Sequence, residues 1–433
     1  MYTRQKGVMM LIIMLMIALS AGMNPVETKA QNKVVLQFMG WEASPFETEG
    51  VMNGLKHFME LNPDIEVKYI AGRWAEHHTK LLTMMAGGAA PDVFFLGAEP
   101  FYREFQKRGV LLDITSYFNS EFKISDFIPM DRQKMVINGR IYGVSSCVVA
   151  PVLYYNKELF NKAGVSYPSA NPEEAWTWEK FLEAAKKLTV KEGDRTIQFG
   201  VYGLETYPIP FIWSNGGDIF NKNYSECILP ESPKAKEALV KILDLRNKYG
   251  VSPDAFYLTN VGMSPNQMLQ TGKIGMLVDG SWALQELARM KFPVGVGVLP
   301  KFKTPVTHGT AHLHAIWKGT KHPKEAWRLV SFLSSEEYQL YFVRDGLWMP
   351  NRMYLYTKDG IKKWLNPSVH PAGFEEIADY FTKYLRPHPA IFIPQEAWDI
   401  VNEELDKFWH ADQPIDKVAQ EMAQRVNPIL KTK

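Results

Sequence analysis

The stretch KVVLQFMGWEASPFETEGVMNGLKHFMELNPDIEVKYI, from Lys33 to Ile70, indicates the fold class because its hydrophobic period changes twice. Its first part, Lys33–Met39, is apolar and β-branched and predicts a strand. A helix follows, in which Val51 and Leu55 lie on one face. Ile65–Ile70 then returns as a second strand, so the stretch predicts a β-α-β unit.

The same alternation continues along the chain. Glu76–Met85 predicts a helix, Asp92–Leu96 a buried strand and Phe101–Lys107 another helix. Strands that alternate with helices in this way form a parallel sheet. Further along, Asn138-Gly139 lies between two apolar stretches and predicts a hairpin, and we place the end of the first lobe shortly after it.

The second half of the chain repeats the pattern with other residues. Thr177 caps a helix, and Lys273–Val278 and Val294–Leu299 predict strands. The proline-bounded stretch Pro300–Pro305 predicts a second crossing between lobes. We expect lobe 1 to comprise residues 31–145 and 305–350, and lobe 2 to comprise residues 146–304 and 351–433.

Composition and charge narrow the class of protein. Of 433 residues, 46% are hydrophobic and 13% aromatic, so the chain can bury a sizeable core and is not disordered. Lysine and arginine number 49 against 47 aspartates and glutamates, which leaves no basic excess for binding nucleic acid. Cys147 and Cys227 are too few for a disulfide scaffold, and we expect both to be buried and unpaired.

The N-terminal segment has the order of a cleaved secretory signal. Arg4 and Lys6 precede the apolar run Val8–Ala21, and the small residue Ala30 marks a cleavage site. The apolar run is shorter than the roughly 20 residues that cross a bilayer, and no cysteine follows the cleavage site to carry a lipid. We therefore predict that residues 1–30 are a signal peptide and that the mature protein is periplasmic or extracellular, without a lipid anchor.

Seven short motifs occur in an order that covers nearly the whole mature chain. They are Asn62–Val67 (NPDIEV), Gly88–Val93 (GAAPDV), Tyr155–Phe160 (YNKELF), Trp213–Gly217 (WSNGG), Gly272–Met276 (GKIGM), Asp279–Trp282 (DGSW) and Lys318–Trp327 (KGTKHPKEAW). Each motif alone consists mostly of turn and packing residues. In this order and spacing, however, the chain resembles the family 1 extracellular solute-binding proteins of ABC sugar importers, of the maltose-binding-protein type.

The resemblance implies an α/β fold of the type II periplasmic-binding-protein kind, in which two lobes joined by a multi-strand hinge close on a ligand. It also implies a protein that is not an enzyme, needs no cofactor and delivers a sugar to the permease subunits of an ABC transporter, where a separate subunit hydrolyses ATP. We expect a monomer that binds a di- or oligosaccharide. The identity of the sugar stays open, and a monosaccharide derivative, a uronate oligomer or a glycerol phosphate ester would also fit.

Candidate ligand-binding residues follow from where strands end. In α/β sheets, ligands lie beyond the carboxyl ends of the strands, where aromatic faces can pack on pyranose rings and polar groups can bind hydroxyls. The predicted ligand-binding site comprises Trp41, Glu42, Glu99, Tyr207, Trp213, Asn215, Asp279, Trp282, His312 and Trp348. By the resemblance, Trp282 matches a sugar-stacking tryptophan and Glu99 matches a carboxylate that accepts sugar hydroxyls.

Two other functions stay open at this point. His312 and His314 would face the same side of a strand, so an exported metal-binding protein is one alternative. We prefer the hypothesis that the chain re-enters the cleft there and that one of these histidines donates a hydrogen bond to the ligand. A carbohydrate-active hydrolase is the other alternative, and it needs two carboxyl groups that flank the scissile bond. The candidates for that pair are Glu42, Glu99, Asp218 and Asp279, and no motif pairs them.

Overall fold

The computed structural model describes residues 33–41 and 44–431, although the side chains of Ala98 and Glu99 are not among the described parts. The predicted signal peptide and the predicted site residue Glu42 lie outside the described residues. In the part of the chain that is described, no helix has the length and apolar character needed to cross a membrane.

Strands and helices alternate through most of the described chain. In chain order the strands are β1 (Val34–Trp41), β2 (Ile65–Gly72), β3 (Val93–Gly97), β4 (Val136–Ile137), β5 (Arg140–Ile141), β6 (Gly143–Ser145), β7 (Pro151–Asn156), β8 (Val190–Glu192), β9 (Arg195–Tyr202), β10 (Ile274–Gly280), β11 (Val294–Gly297), β12 (Thr307–Gly309), β13 (His312–Ile316) and β14 (Leu385–Pro387). The α-helices are α1 (Pro45–Leu61), α2 (Trp74–Ala86), α3 (Arg103–Lys107), α4 (Thr115–Glu121), α5 (Pro129–Met135), α6 (Lys157–Ala163), α7 (Trp178–Leu188), α8 (Pro208–Ser214), α9 (Pro233–Asn247), α10 (Ala255–Val261), α11 (Pro265–Gln270), α12 (Leu284–Leu287), α13 (Pro323–Leu333), α14 (Glu336–Arg344), α15 (Lys358–Trp364), α16 (Ala378–Thr382), α17 (Gln395–His410) and α18 (Ile415–Lys431).

The first three of these elements form the β-α-β unit that the sequence predicts. Strands β1 and β2 are parallel and pair along their whole length. Helix α1 connects them, and the Ser44 side chain caps its first turn by accepting a hydrogen bond from the Glu47 amide. The apolar face of α1, which includes Val51 and Leu55, is buried. This packing fixes where β1 ends and therefore where Trp41 lies.

The first sheet has five strands in the order β2-β1-β3-β13-β6. Strand β3 is parallel to β1, whereas β13 is antiparallel to both β3 and β6. The first residue of β13, His312, lies opposite Gly97, the last residue of β3. Because β13 runs in the reverse direction, its start lies at the same sheet edge as the ends of β1 and β3.

The second sheet has five strands in the order β11-β7-β10-β9-β8. Strand β10 lies at its centre, parallel to β9 and antiparallel to β7. It ends at Gly280 and leads directly into the helical turn Ser281–Ala283. The turn places Trp282 at the edge of this sheet.

Chain segments that run between the two sheets pair with one another. Val148 forms an isolated antiparallel bridge with Met349, and Val149 forms one with Thr310. Strands β12 and β14 form a short parallel pair beside them. Such pairings are typical of a hinge that is built from several chain segments. The strands of the first sheet fall within the predicted ranges of lobe 1 and those of the second within lobe 2, while the lobe boundaries themselves stay a prediction.

Two local predictions are confirmed by the structure. Strands β4 and β5 pair antiparallel around Asn138 and Gly139, whose φ angles of 51° and 76° are those a two-residue hairpin turn requires. Cys147 and Cys227 are both buried and free. They therefore act as small apolar residues of the core.

Candidate functional site

A cavity of about 350 Å³ lies between the two sheets, where strand ends and hinge segments meet. It is lined by Trp41, Glu47, Trp74, Gly97, Val149, Trp282, Thr310, Ala311, His312, Leu347 and Trp348. Trp41, Gly97 and His312 come from the edge of the first sheet, and Trp282 comes from the edge of the second. The cavity is therefore a cleft between the lobes, at the strand-end position that the sequence predicts for a ligand.

One side of the cleft, the first wall, consists of Trp41, His312 and Trp348. The His312 ring lies edge-on to Trp41 at 5.2 Å and to Trp348 at 4.9 Å between ring centroids. Behind them, Phe95 stacks on His312 at 4.5 Å, and Phe342 stacks on Trp348 at 4.2 Å. The three side chains are at most 8% exposed. Because each ring is held by another, the first wall is fixed before any ligand arrives.

The opposite side, the second wall, is formed by Trp282. This tryptophan is only partly buried, and its ring folds back over Gly280. A Cβ atom at position 280 would lie 2.2 Å from the ring, so a glycine is required there by close approach. In contrast to the first wall, the second wall is one ring supported by a short turn.

His312 contributes an uncharged ring to the cleft. Burial lowers the pKa of His312 to about 3, and the nearby Lys134 and His77 contribute smaller effects in the same direction. The Nδ1 atom lies 4.0 Å from the Cys147 sulfur, and the Nε2 atom has no hydrogen-bond partner among the described residues. A neutral imidazole nitrogen can donate or accept a hydrogen bond, but in this structure the Nε2 atom is buried, so the His312 ring meets the cavity mainly through its carbon atoms.

Sequence reasoning missed seven residues that line the cleft, and Glu47 and Trp74 are the charged and the aromatic residue among them. Glu47 is buried in the first turn of α1, where its spacing from Ser44 matches a helix-capping pattern and so suggests a structural role alone. Trp74 begins α2, directly after β2, and is 55% exposed. The strand-end rule that selected Trp41 also applies to Trp74 and would have found it.

Four of the predicted site residues lie outside this cavity, where they contact side chains of the second lobe and its neighbours. Tyr207 donates a hydrogen bond to Asp279 at 2.8 Å between oxygens, and burial is the main cause that raises the pKa of both groups. The Asn215 amide donates to the Lys234 carbonyl oxygen at 2.8 Å. Trp213 is buried in α8, with the Arg386 guanidinium 3.8 Å from its ring centroid. Their contact with a ligand stays a prediction, as does that of Glu42 and Glu99, whose side chains are not described.

The two histidines of β13 are not joined by further metal ligands from the described part of the chain. Their rings lie 5.7 Å apart, but His314 is fully buried beyond the cavity, with Nδ1 3.3 Å from the Ser334 hydroxyl. Burial lowers the pKa of His314 well below its usual range. Across the described residues, no group of three or more His, Cys, Asp and Glu side chains is placed to hold a metal ion.

The chain matches known proteins over most of its length. Residues 45–340 match the model of a family described as bacterial extracellular solute-binding proteins. A Brucella abortus protein named as a binding protein is 27% identical over 306 residues, which cover 68% of this chain and 71% of that protein.

Solved structures share the fold. An ABC substrate-binding protein of Listeria monocytogenes, in complex with cycloalternan, matches with a TM-score of 0.79 and 27% identity over 92% of this chain and 98% of that chain. A maltose-bound protein of T. maritima matches with a TM-score of 0.75 and 23% identity over 91% and 99% of the two chains. The chain belongs to the family of bacterial extracellular solute-binding proteins and has the two-lobed α/β fold of these structures.

Proposed function

We propose that this protein is the substrate-binding component of an ABC importer and that it captures a di- or oligosaccharide between its lobes. The observation that carries the proposal is the cleft between the two sheets, which tryptophans line from both sides. The likeness to a substrate-binding protein solved with cycloalternan supports the same class of ligand.

The chemistry of the cleft suits a sugar. The flat faces of Trp41, Trp282 and Trp348 can pack on the C–H groups of pyranose rings. Hydroxyl groups need partners that donate and accept hydrogen bonds, and the described lining includes the polar residues Glu47, Thr310 and His312. The cavity of about 350 Å³ is within the range of ~300–1,000 Å³ that is typical of small-molecule sites.

Contacts across the cleft support capture by lobe closure. The Ser44 hydroxyl donates a hydrogen bond to Gln285 Oε1 at 2.9 Å, and the Arg289 guanidinium lies 4.3 Å from the centroid of the Phe46 ring. Ser44 and Phe46 belong to the start of α1 on the first sheet, whereas Gln285 and Arg289 follow β10 of the second. A ligand that contacts both walls favours the closed state by its differential binding energy.

The proposal includes the finer features expected from the sequence. The chain is exported by a signal peptide at residues 1–30, acts as a monomer and presents its closed form to the permease, while a separate subunit hydrolyses ATP. It breaks no bond. The match to a family of solute-binding proteins supports binding without catalysis.

A thermal-shift screen of the mature chain tests this function. The screen uses a panel of di- to tetrasaccharides, with divalent metals and EDTA as separate arms. A ligand at 100 times its dissociation constant stabilises the fold by roughly 2.7 kcal/mol, so we expect a clear rise in melting temperature with one class of sugar. A rise that depends on metal, with no response to any sugar, would contradict the proposal. Release of new reducing ends during incubation would contradict the absence of catalysis.

A further inference from the structure

The segment from the end of β6 to the start of β7, the first crossing, takes the chain from the first sheet to the second. At its start, three consecutive backbone carbonyl groups accept hydrogen bonds from side chains. The Ser145 oxygen accepts from the Asn351 amide at 2.9 Å. The Ser146 oxygen accepts from the Gln339 amide at 2.7 Å. The Cys147 oxygen accepts from the Ser145 hydroxyl at 3.0 Å. The first-sheet end of the crossing is therefore held in one direction as well as in one place.

The side chains that hold these carbonyl groups also bond to one another. The Gln339 amide donates to Asn351 Oδ1 at 2.6 Å, and the Asn351 backbone amide donates to Gln339 Oε1 at 3.1 Å. The Lys134 ammonium donates to the Ser145 hydroxyl at 3.2 Å. It also lies 2.6 Å from the Asp131 carboxylate. All five side chains are fully buried, and we call them the polar anchor.

Stability alone does not account for the polar anchor. A fully buried ion pair such as that of Asp131 and Lys134 usually adds less to stability than apolar residues of the same volume, because both charged groups lose their hydration. Buried amides that are fully bonded in one arrangement specify that arrangement, since another one leaves polar groups unpaired. The polar anchor therefore specifies one geometry of the backbone that it holds.

The next two residues of the crossing, Val148 and Val149, bond to other segments that run between the sheets. The Val148 amide donates to the Met349 oxygen at 3.0 Å, and the Val149 amide donates to the Thr310 oxygen at 2.9 Å. Met349 and Thr310 lie outside the strands of both sheets. The two valines can therefore change direction together with the segments to which they bond.

The second-sheet end of the crossing is held again, next to the second wall. The Ser281 amide donates to the Ala150 oxygen at 2.8 Å. The Thr307 hydroxyl donates to the Pro151 oxygen at 3.2 Å. Ser281 directly precedes Trp282 in the chain. A rotation at the two valines therefore moves Trp282 relative to the first wall.

We propose that Lys134, Gln339 and Asn351 are positioning residues for ligand capture. None of them is among the described residues that line the cavity. They hold the first-sheet end of the crossing, so that the crossing bends at the two valines and closure brings the second wall to one position. The proposal rests on the proposed function, because it assumes that a ligand binds between the two walls.

Two buried asparagines test the proposal. Asn351→Leu removes the hydrogen bonds to Ser145 and Gln339. Asn156→Leu is the matched control, because Asn156 is also buried and its amide also donates to a backbone carbonyl, that of Leu269 at 3.1 Å. Both variants should lose folding stability. Only Asn351→Leu should bind the sugar of the screen more weakly, by about 10-fold in calorimetry, because the productive closed geometry becomes a smaller fraction of its ensemble.

Spin labels measure the geometry of closure directly. Lys56→Cys in α1 and Lys191→Cys in β8 are exposed positions for the labels, and the two native cysteines are buried. Pulsed electron paramagnetic resonance gives the distribution of distances between the two labels. We expect Asn351→Leu to broaden this distribution with and without sugar, and Asn156→Leu to leave its width unchanged. A residue that only supports the fold would lower the melting temperature without changing the width.

Ser145→Ala is a milder variant that decides the matter if Asn351→Leu does not fold. It removes the hydroxyl through which Lys134 contacts the crossing. We expect the affinity for the sugar to fall about three-fold and the distance distribution to broaden.

The outcomes separate this inference from the proposed function. Wild-type affinity and wild-type width in Asn351→Leu and Ser145→Ala would overturn the inference and leave the proposed function standing. Equal losses of affinity in Asn351→Leu and Asn156→Leu would overturn it as well. If the wild-type protein binds no sugar, the proposed function fails, and the width of the ligand-free distribution still supports or overturns the positioning role.

Discussion

The two walls of the cleft are built in opposite ways. In the first wall, Trp41, His312 and Trp348 are buried and packed ring against ring. In the second wall, Trp282 is partly exposed and rests on a short turn after β10. From this difference we propose that the first wall contributes to both stability and binding, whereas the second wall contributes mainly to binding. The difference also suggests an order of events, in which the sugar docks on the fixed first wall and closure then adds the second.

Acid should have the largest effect on stability, through buried histidines that include His312 of the first wall and the neighbouring His77 and His78. Burial lowers the pKa of His77 to about 4 and of His78 and His312 to about 3, whereas the unfolded value is about 6.5. The unfolded chain therefore binds these protons first, so their stabilising contribution is complete above pH 6.5 and is lost as the pH falls towards 3. Each histidine contributes a slope of about 1.4 kcal/mol per pH unit within that window. Denaturant unfolding between pH 7 and pH 4 measures it.

Two variants test whether His312 contributes to this dependence of the unfolding free energy on pH. His312→Gln should lower the slope by about 1.4 kcal/mol per pH unit, and His410→Gln, at an exposed histidine, is the control. Equal slopes in both variants would show that His312 is not a source of the pH dependence.

Truncation of the first wall should cost folding stability. Trp348→Ala removes a buried ring that stacks on Phe342, and we expect a loss of about 3–5 kcal/mol in the free energy of unfolding. Trp74→Ala is the control in the same cleft, because its ring is half-exposed and should cost less than about 1 kcal/mol. Urea unfolding compares them. Similar losses in both variants would contradict the fixed first wall.

Truncation of the Trp282 side chain in the second wall should reduce the affinity for the sugar and change the folding stability little. Trp282→Ala removes the ring that closes on the sugar, so we expect affinity to fall roughly 10- to 100-fold. Calorimetry with the sugar found in the screen measures the affinity, and urea unfolding of the ligand-free protein should change little.

A second substitution tests the role of the same ring without removing it. Gly280→Ala displaces the Trp282 ring, because the new Cβ would clash with it, and should also weaken binding. The double variant should lose no more than Trp282→Ala alone, since both changes act through one ring. Additive losses of affinity would mean that Gly280 affects binding by a route other than the Trp282 ring.

A substitution at the rim of the cleft should have the smallest effect on sugar binding. Arg289→Ala removes an ion pair with Asp345 and the contact with Phe46, both partly exposed. We expect sugar release to become about three-fold faster, since such pairs are worth less than about 1 kcal/mol. Stopped-flow fluorescence measures the rate, with Lys291→Ala as an exposed control. An unchanged release rate would mean that these contacts do not hold the lobes closed.

Local signals in the sequence predicted most of the fold. The change of hydrophobic period identified β1, α1 and β2, and turn residues such as Asn138-Gly139 identified the hairpin between β4 and β5. Such features depend on neighbours in the chain, which is why they can be read from it. The motif order then supplied the two-lobed arrangement, which no single segment determines.

The site was less predictable because the partners of its side chains are distant in sequence. Strand-end position brought Trp41, Trp282, His312 and Trp348 to one cavity. The same rule also selected Tyr207, yet its hydroxyl is bonded to Asp279, 72 residues away. Whether a strand-end side chain faces the cleft or its own lobe depends on tertiary packing, which the position of a residue after a strand does not reveal.

A crystal structure of the protein with the tightest-binding sugar of the screen would show whether the sugar binds between the two walls. We expect the saccharide in van der Waals contact with Trp282 on one side and with Trp41 or Trp348 on the other. Its hydroxyls should lie within about 3.2 Å of Glu47 or Thr310. A sugar bound outside this cavity, for example in the groove between Phe101 and Phe392, with both walls untouched, would contradict it.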